Sequence, residues 1–344
     1  MTSIGTYGFI NAKVRTMRSF LLDKSDYQAL TKAENIDELF FILSKTQYKN
    51  IIEKLESREP ALVEQAFFLG GIEQLKLVEK SSRGNVRKII LSLFDRYEGE
   101  RLKIILRYWH KKDEKIIELY RSKIIYDFPV DAIISASDIT EVVTLLKGTP
   151  FYNILAKEIP AYLEHKTLFP LELAIDKDYF TRFWKITESL SRKDKLIVKR
   201  LVGLEVDIRN LNWMTRFKKY YDISSTDIIE MLLPYGYRIK SGEIQDVMAG
   251  GSAKKLLAKI VGSAAVFLPE EEQGEEASLE LMERILYEVL LAEAKRAFGQ
   301  FPFTIGAVIG YFILIQIEVK NIKTLIEAKI YGLSPDETEA LLIV

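Results

Sequence analysis

This sequence predicts an all-α fold made of three similar helical repeats of about 110 residues within a chain of 344. Three observations carry that prediction. Apolar residues recur at helical rather than alternating spacing along nearly the whole chain. No alternating run is bounded by hairpin turns. One polar motif returns three times at almost equal intervals.

In chain order, the first clear helix begins at Ile36, where Ile36, Leu39, Phe40 and Leu43 share one face. The segment Val86 to Leu106 repeats the pattern, with Ile89, Ile90, Leu93, Phe94 and Tyr97 on a stripe. Leu279 to Phe298 places Leu279, Met282, Ile285, Leu286, Val289 and Leu290 together, opposite Glu and Arg. Prolines fall mostly where helices should be separated, at Pro129, Pro150, Pro160, Pro170, Pro234 and Pro335. The acidic stretch Phe267 to Glu280 reads as a solvated loop whose carboxylates favour the start of the next helix. The last segment, Ile309 to Leu342, opens apolar and then inserts Glu318, Lys320 and Asn321 into a continuing helix.

That insertion recurs. Glu318–Leu325 reads EVKNIKTL, Asp207–Met214 reads DIRNLNWM, and Glu98–Ile105 reads EGERLKII. All three are an acid, two free positions, Asn or Arg, Leu or Ile, Lys or Asn, a free position and a large apolar residue. Their starts lie 109 and 111 residues apart. A second motif keeps the same phase: NIDELFFILSKTQ at Asn35–Gln47, DITEVVTLLKGTP at Asp138–Pro150 and, more weakly, SAKKLLAKIVGSA at Ser252–Ala264. The separations from Thr46, Thr149 and Ser263 to the next acid are 52, 58 and 55 residues. Repeats over residues 1–115, 116–225 and 226–344 are therefore expected.

The acid and the residue three positions on are neighbours on one helix face. Flanking apolar residues place them at the edge of a packed seam, where a buried carboxylate must find donors or cost several kcal/mol. Glu98 with Arg101, Asp207 with Asn210, and Glu318 with Asn321 are thus expected to be structural polar latches that fix helix register. The i+3 side chain and a neighbouring helix are the expected donors. Catalysis would require the three acids to converge.

Several function classes are poorly supported. With 49 basic and 49 acidic residues the chain is neutral, so nothing pulls it globally toward nucleic acid. The basic and aromatic RYWHKK stretch is the one local exception. Absence of cysteine excludes thiol nucleophiles and cysteine-ligated metals. His110 and His165 stand in no metal-binding spacing and read as surface residues. AGGSAKK, Ala249–Lys255, lacks the spacing of a phosphate loop and reads as a helix start. No catalytic residue, metal, cofactor or small-molecule substrate is expected. The clean apolar run Thr304–Ile315 falls short of the roughly 20 residues a membrane span needs, and MTSIGTYGFINAKVRTMRSFLL has no signal-type apolar core. A soluble cytoplasmic chain is expected.

The whole chain resembles the C subunit of archaeal and bacterial A/V-type rotary ATPases, whose eukaryotic relative is the d subunit of the V-ATPase. YGFINAKVRTM near the start and EVDIRNL at Glu205–Leu211 carry part of the likeness. Its strongest part is C-terminal, at Gly310, Tyr311, Glu318, Asn321, Ile322, Lys329, Gly332, Leu333, Glu339 and Leu341. The resemblance implies a non-enzymatic coupler: a funnel of three helical domains around a pseudo-threefold axis, peripheral on the cytoplasmic side of the membrane. The implied partners are the central-shaft subunits and the membrane proteolipid ring. A generic helical adaptor for another partner is the alternative.

Overall fold

A computed structural model describes residues 3–55, 57–112, 118–121, 123–220, 225–248, 258–259, 261, 275–300 and 303–344. Among the described residues regular structure is helical throughout, as the apolar spacing predicts, and no strand occurs. The chain divides into two compact units, Met1–Lys54 with Leu190–Val344, and Leu55–Ser189.

The first unit begins with α1 (Ser3–Arg18), α2 (Lys24–Lys32), α3 (Ile36–Leu43) and the single turn α4 (Lys49–Ile52). Helix α3 starts where Asn35 caps it, its Oδ1 accepting from the Glu38 N–H at 3.0 Å. It buries Leu39, Phe40 and Leu43, the face its spacing predicts.

The second unit holds α5 (Pro60–Glu79), α6 (Gly84–Lys111), a 3₁₀ turn (Glu118–Arg121), α7 (Val130–Ser135), α8 (Ile139–Leu145), α9 (Phe151–His165) and α10 (Phe169–Thr187). Its core gathers Leu102, Ile105, Leu106 and Trp109 of α6 with Ile133, Val142, Leu155 and Leu171. Each such fully buried aliphatic side chain contributes about 1.5–3 kcal/mol of burial free energy. Helices α6 and α10 run antiparallel, joined by ion pairs Asp95–Arg182 (2.7 Å), Lys103–Asp176 (2.9 Å) and Arg107–Glu172 (2.7 Å). Asp138 caps α8 as Asn35 caps α3, accepting from Thr140 and Glu141 N–H at 2.8 and 2.9 Å. One proline departs from expectation: α9 runs through Pro160 instead of stopping there. Pro150, Pro170 and Pro335 do sit at helix starts.

The first unit resumes with α11 (Arg192–Tyr220), α12 (Ser225–Met231), α13 (Ser241–Met248), α14 (Glu275–Gly299), α15 (Gly306–Tyr331) and α16 (Pro335–Leu341). Helix α15 is buried almost all round over Gly306–Ile315, between α14, α1 and α11. Its greasy first half is therefore explained by packing inside the protein, and no helix among the described residues is long and apolar enough to cross a membrane. Gly310 lets α15 approach α14 closely, since a Cβ there would lie 3.0 Å from the Ala294 carbonyl. Asp194 joins three elements, accepting from the Tyr7 hydroxyl at 2.8 Å, the Ile305 N–H at 2.9 Å and the Ser191 hydroxyl at 2.7 Å. The expected acidic loop Phe267–Glu280 is already helical from Glu275, where α14 begins; its part through 274, the AGGSAKK stretch and most of the third copy of the second motif lie outside the described residues.

Candidate functional site

The three motif acids sit in the middle of the long helices α6, α11 and α15, which carry them among apolar neighbours. All six motif side chains are buried: Glu98, Arg101, Asp207, Asn210, Glu318 and Asn321 are each at most 5 % exposed. What satisfies them differs from the sequence expectation in two respects. Of the three i+3 side chains only Arg101 serves its own acid, while Asn210 and Asn321 bond the peptides of Leu233 and Ile343. The donors to the acids come chiefly from loop backbone rather than from a neighbouring helix.

Glu98 accepts backbone N–H bonds from Ile125 and, at 2.7 Å, from Tyr126. Arg101 bonds Glu98 at 3.1 Å, the i+3 contact expected from spacing. Its guanidinium also donates to the Tyr120 carbonyl at 2.7 Å and the Tyr126 carbonyl at 3.2 Å, and lies 4.8 Å from the Phe128 ring centre. A guanidinium only donates. It therefore serves carbonyls and leaves the N–H groups of the same loop to Glu98.

Asp207 accepts from the backbone of Tyr237 (3.1 Å), Arg238 (2.6 Å) and Ile239 (3.4 Å). Asn210 clamps a single residue from both sides, donating to the Leu233 carbonyl at 2.9 Å and accepting from its N–H at 2.8 Å. An amide can do both because it carries a donor and an acceptor. The loop comes this close at Gly236, where a Cβ would collide with the Asp207 carboxylate.

Glu318 and Asn321 repeat the scheme. Asn321 donates to the Ile343 carbonyl at 2.7 Å and accepts from its N–H at 2.9 Å. Glu318 accepts from the Leu22 N–H at 2.7 Å, the Gln47 side-chain amide at 2.9 Å and the Tyr48 hydroxyl at 2.5 Å. Its donors thus belong to the first fifty residues of the chain. Lys329 adds a bond from α15 to the Thr31 carbonyl at 2.7 Å.

Burial raises the Glu318 carboxyl to about 7, against the pull of Tyr48, Leu22 and Gln47, which hydrogen-bond its charged form. Asp207 is likewise raised by burial to about 6, opposed by its three backbone donors. The Tyr48 phenol is pushed well above its ordinary value by burial and by the Glu318 charge.

The second motif is also built alike in the two copies the structure describes. Thr46 and Thr149 each donate back to a carbonyl three residues earlier, Leu43 at 2.7 Å and Leu146 at 2.8 Å. Glu38 and Glu141 each accept from the N–H four residues earlier, at 2.7 and 2.8 Å.

Each carboxylate is enclosed by its own donors. Among the described residues no group of three or more His, Asp or Glu side chains is placed to hold a metal. His110 is exposed on α6, with Nδ1 3.1 Å from the Tyr162 hydroxyl, and His165 is exposed at the end of α9. Leu22, Gln47, Tyr48 and Gly236 were not evident from sequence reasoning. The only signal was the parallel between TQYKNI and TPFYNI, which marks Tyr48 as a repeat position without indicating its partner.

The family model described as ATP synthase (C/AC39) subunit matches residues 10–341. The C subunit of the A-type ATP synthase of Methanocaldococcus jannaschii is 26% identical over 354 residues, covering 99% of this chain and 87% of the relative. Its Archaeoglobus fulgidus counterpart is 23% identical over 342 residues, covering 98% and 96%. That of Methanosphaera stadtmanae is 24% identical over 334 residues, covering 94% and 84%. With nearly its whole length matched, including all three acid motifs, the chain belongs to the ATP synthase C/AC39 subunit family.

Proposed function

We propose that this chain is a non-catalytic central-stalk subunit of an A/V-type ATPase or ATP synthase. It couples the rotor shaft to the membrane proteolipid ring and transmits torque between ATP turnover and ion translocation. Family membership supports a place in a rotary ATPase. Its partners there are other subunits of the complex, held through protein contacts on the cytoplasmic side.

The observation that carries the coupling reading is the order of the latches. With repeats over residues 1–115, 116–225 and 226–344, Glu98 of the first bonds Ile125 and Tyr126 of the second. Asp207 of the second bonds Tyr237 and Arg238 of the third. Glu318 of the third bonds Leu22 and Tyr48 of the first. Each acid thus reaches residues of the repeat that follows it, the last returning to the first, which supports three similar repeats built on one scheme. An open-ended helical adaptor would give its last acid no repeat to hold. Long helices tied by buried, multiply bonded carboxylates suit a part that must pass twist without yielding, and the six motif residues serve as structural latches.

The test is recovery of the tagged chain from membranes of its own organism after gentle detergent extraction. Shaft subunits and a small, very hydrophobic ring protein are expected with it. Recovery only from the soluble fraction, without ATPase components, contradicts the reading.

A further inference from the structure

Charge is unevenly spread on this neutral chain. Lys80 to Lys88 reads KSSRGNVRK, four cations without an acid, between α5 and α6 in the Leu55–Ser189 unit. A cavity of about 430 Å³ opens there, lined by Glu79, Lys80, Ser82, Arg83, Gly84 and Arg87. Four of the six lining residues are charged, three positive and one negative. Glu79 is taken by Arg87 at 2.6 Å, and the Ser82 hydroxyl donates to the Glu79 carbonyl at 2.6 Å. Lys80 and Arg83 are exposed and have no ion-pair partner among the described residues. Gly84 sits at φ +56°, and no heavy atom lies within 4 Å of where its Cβ would be, so the wall stays open beside Arg83.

Lys80, Arg83 and Arg87 concentrate positive charge at one cavity, with Glu79 alone of its lining residues to offset it. The planar guanidinium fork matches phosphate oxygens, and an ammonium serves the same anion as a point charge. No aromatic side chain lines the cavity, so base stacking is not offered and nucleic acid is not the favoured ligand. We propose that this cavity binds a phosphate group, with Lys80 and Arg83 as its principal donors and Arg87 shared with Glu79. The phosphate could be free in solution or carried on a lipid headgroup. The site stands independently of the torque reading, since it uses none of the latch residues.

The test uses the full chain in two arms. One titrates inorganic phosphate by calorimetry. The other sediments the chain with phosphatidylcholine vesicles with and without phosphatidylglycerol. Binding is expected in at least one arm, weakened by added salt and reduced about tenfold or more, on the order of one good charged contact, in the Lys80→Gln/Arg83→Gln variant. Binding in the first arm alone identifies a soluble phosphate, and binding only to the anionic vesicles identifies a headgroup. Both side chains are exposed, so the variant should keep the parent's unfolding midpoint. The single variant Arg83→Gln, with Arg83→Lys as the charge-retaining control, repeats the test with less disturbance. Failure of the parent chain to bind in either arm, or equal binding by the variants, overturns the proposal.

Discussion

The hydroxyl of Tyr48 donates to the carboxylate of Glu318 at 2.5 Å, although 270 residues separate them in sequence. Both side chains are buried, so each offers the other what water no longer can. This contact ties the beginning of the chain to its last long helix. Tyr48→Phe removes one donor from that carboxylate and leaves the ring in place. A hydrogen bond to a charged group is worth about 1.5–3 kcal/mol, and above pH 7, where Glu318 is charged, a loss of that size in unfolding free energy is expected from urea titration. An unchanged midpoint would mean that Leu22 and Gln47 suffice.

Glu318 and Asp207 predict a pH dependence opposite to that of a salt-bridged acid. Burial raises Glu318 from 4.5 to about 7 and Asp207 from 3.8 to about 6. The folded state therefore binds these protons more tightly than the unfolded state. The stabilising contribution is fully present below the unfolded values and is lost as pH rises through 4.5–7 for Glu318 and 3.8–6 for Asp207. Unfolding midpoints across this range should show Glu318→Gln flattening the slope between pH 4.5 and 7, including above pH 6, where Asp207 has ceased to contribute. A variant with the parent's slope would contradict the assignment.

Gly236 and Gly242 form an internal control. A Cβ at Gly236 meets the Asp207 carboxylate, whereas at Gly242 it meets nothing within 4 Å. Gly236→Ala is expected to cost about 1–3 kcal/mol, as overpacking does. Gly242→Ala, in α13, should be neutral or stabilising by up to about 1 kcal/mol. Thermal unfolding of the two variants side by side measures the difference, and equal midpoints would show that the loop around Gly236 yields freely.

Asn210 and Asn321 hold Leu233 and Ile343 by the same pair of bonds. Substituting either by Ala strands a buried N–H and a buried carbonyl, at about 1–3 kcal/mol per unsatisfied group. Similar losses are expected at the two sites, measured by denaturant unfolding. Asp is the informative second variant, because it keeps the acceptor for the N–H and loses the donor to the carbonyl. It should fall between the parent and Ala if local pairing governs the effect.

Helix periodicity made α3, α6 and α14 legible in the sequence, because one buried stripe per helix leaves a repeat of 3.6 residues. Recurrence made the acids legible, since Glu98, Asp207 and Glu318 stand at nearly equal intervals among apolar neighbours. Their donors were not legible. A backbone N–H belongs to every residue except proline, so nothing marks Leu22 or Tyr126 as a partner. Spacing suggested that each i+3 side chain would serve its own acid. Arg101 does so, while Asn210 and Asn321 turn to Leu233 and Ile343, because an amide can close both ends of a peptide group and a guanidinium cannot. Pro160 misled for a similar reason, as its ring marks a lost N–H but does not decide whether the surrounding packing carries the helix through.

Torque transmission is the central claim, and it is tested most directly by measuring ATP hydrolysis and ATP-driven ion transport together. The material is inverted membrane vesicles from cells of the native organism that lack this chain. Hydrolysis is expected to continue while transport is lost, and adding the purified chain should restore transport. Undiminished transport without the chain would contradict the account.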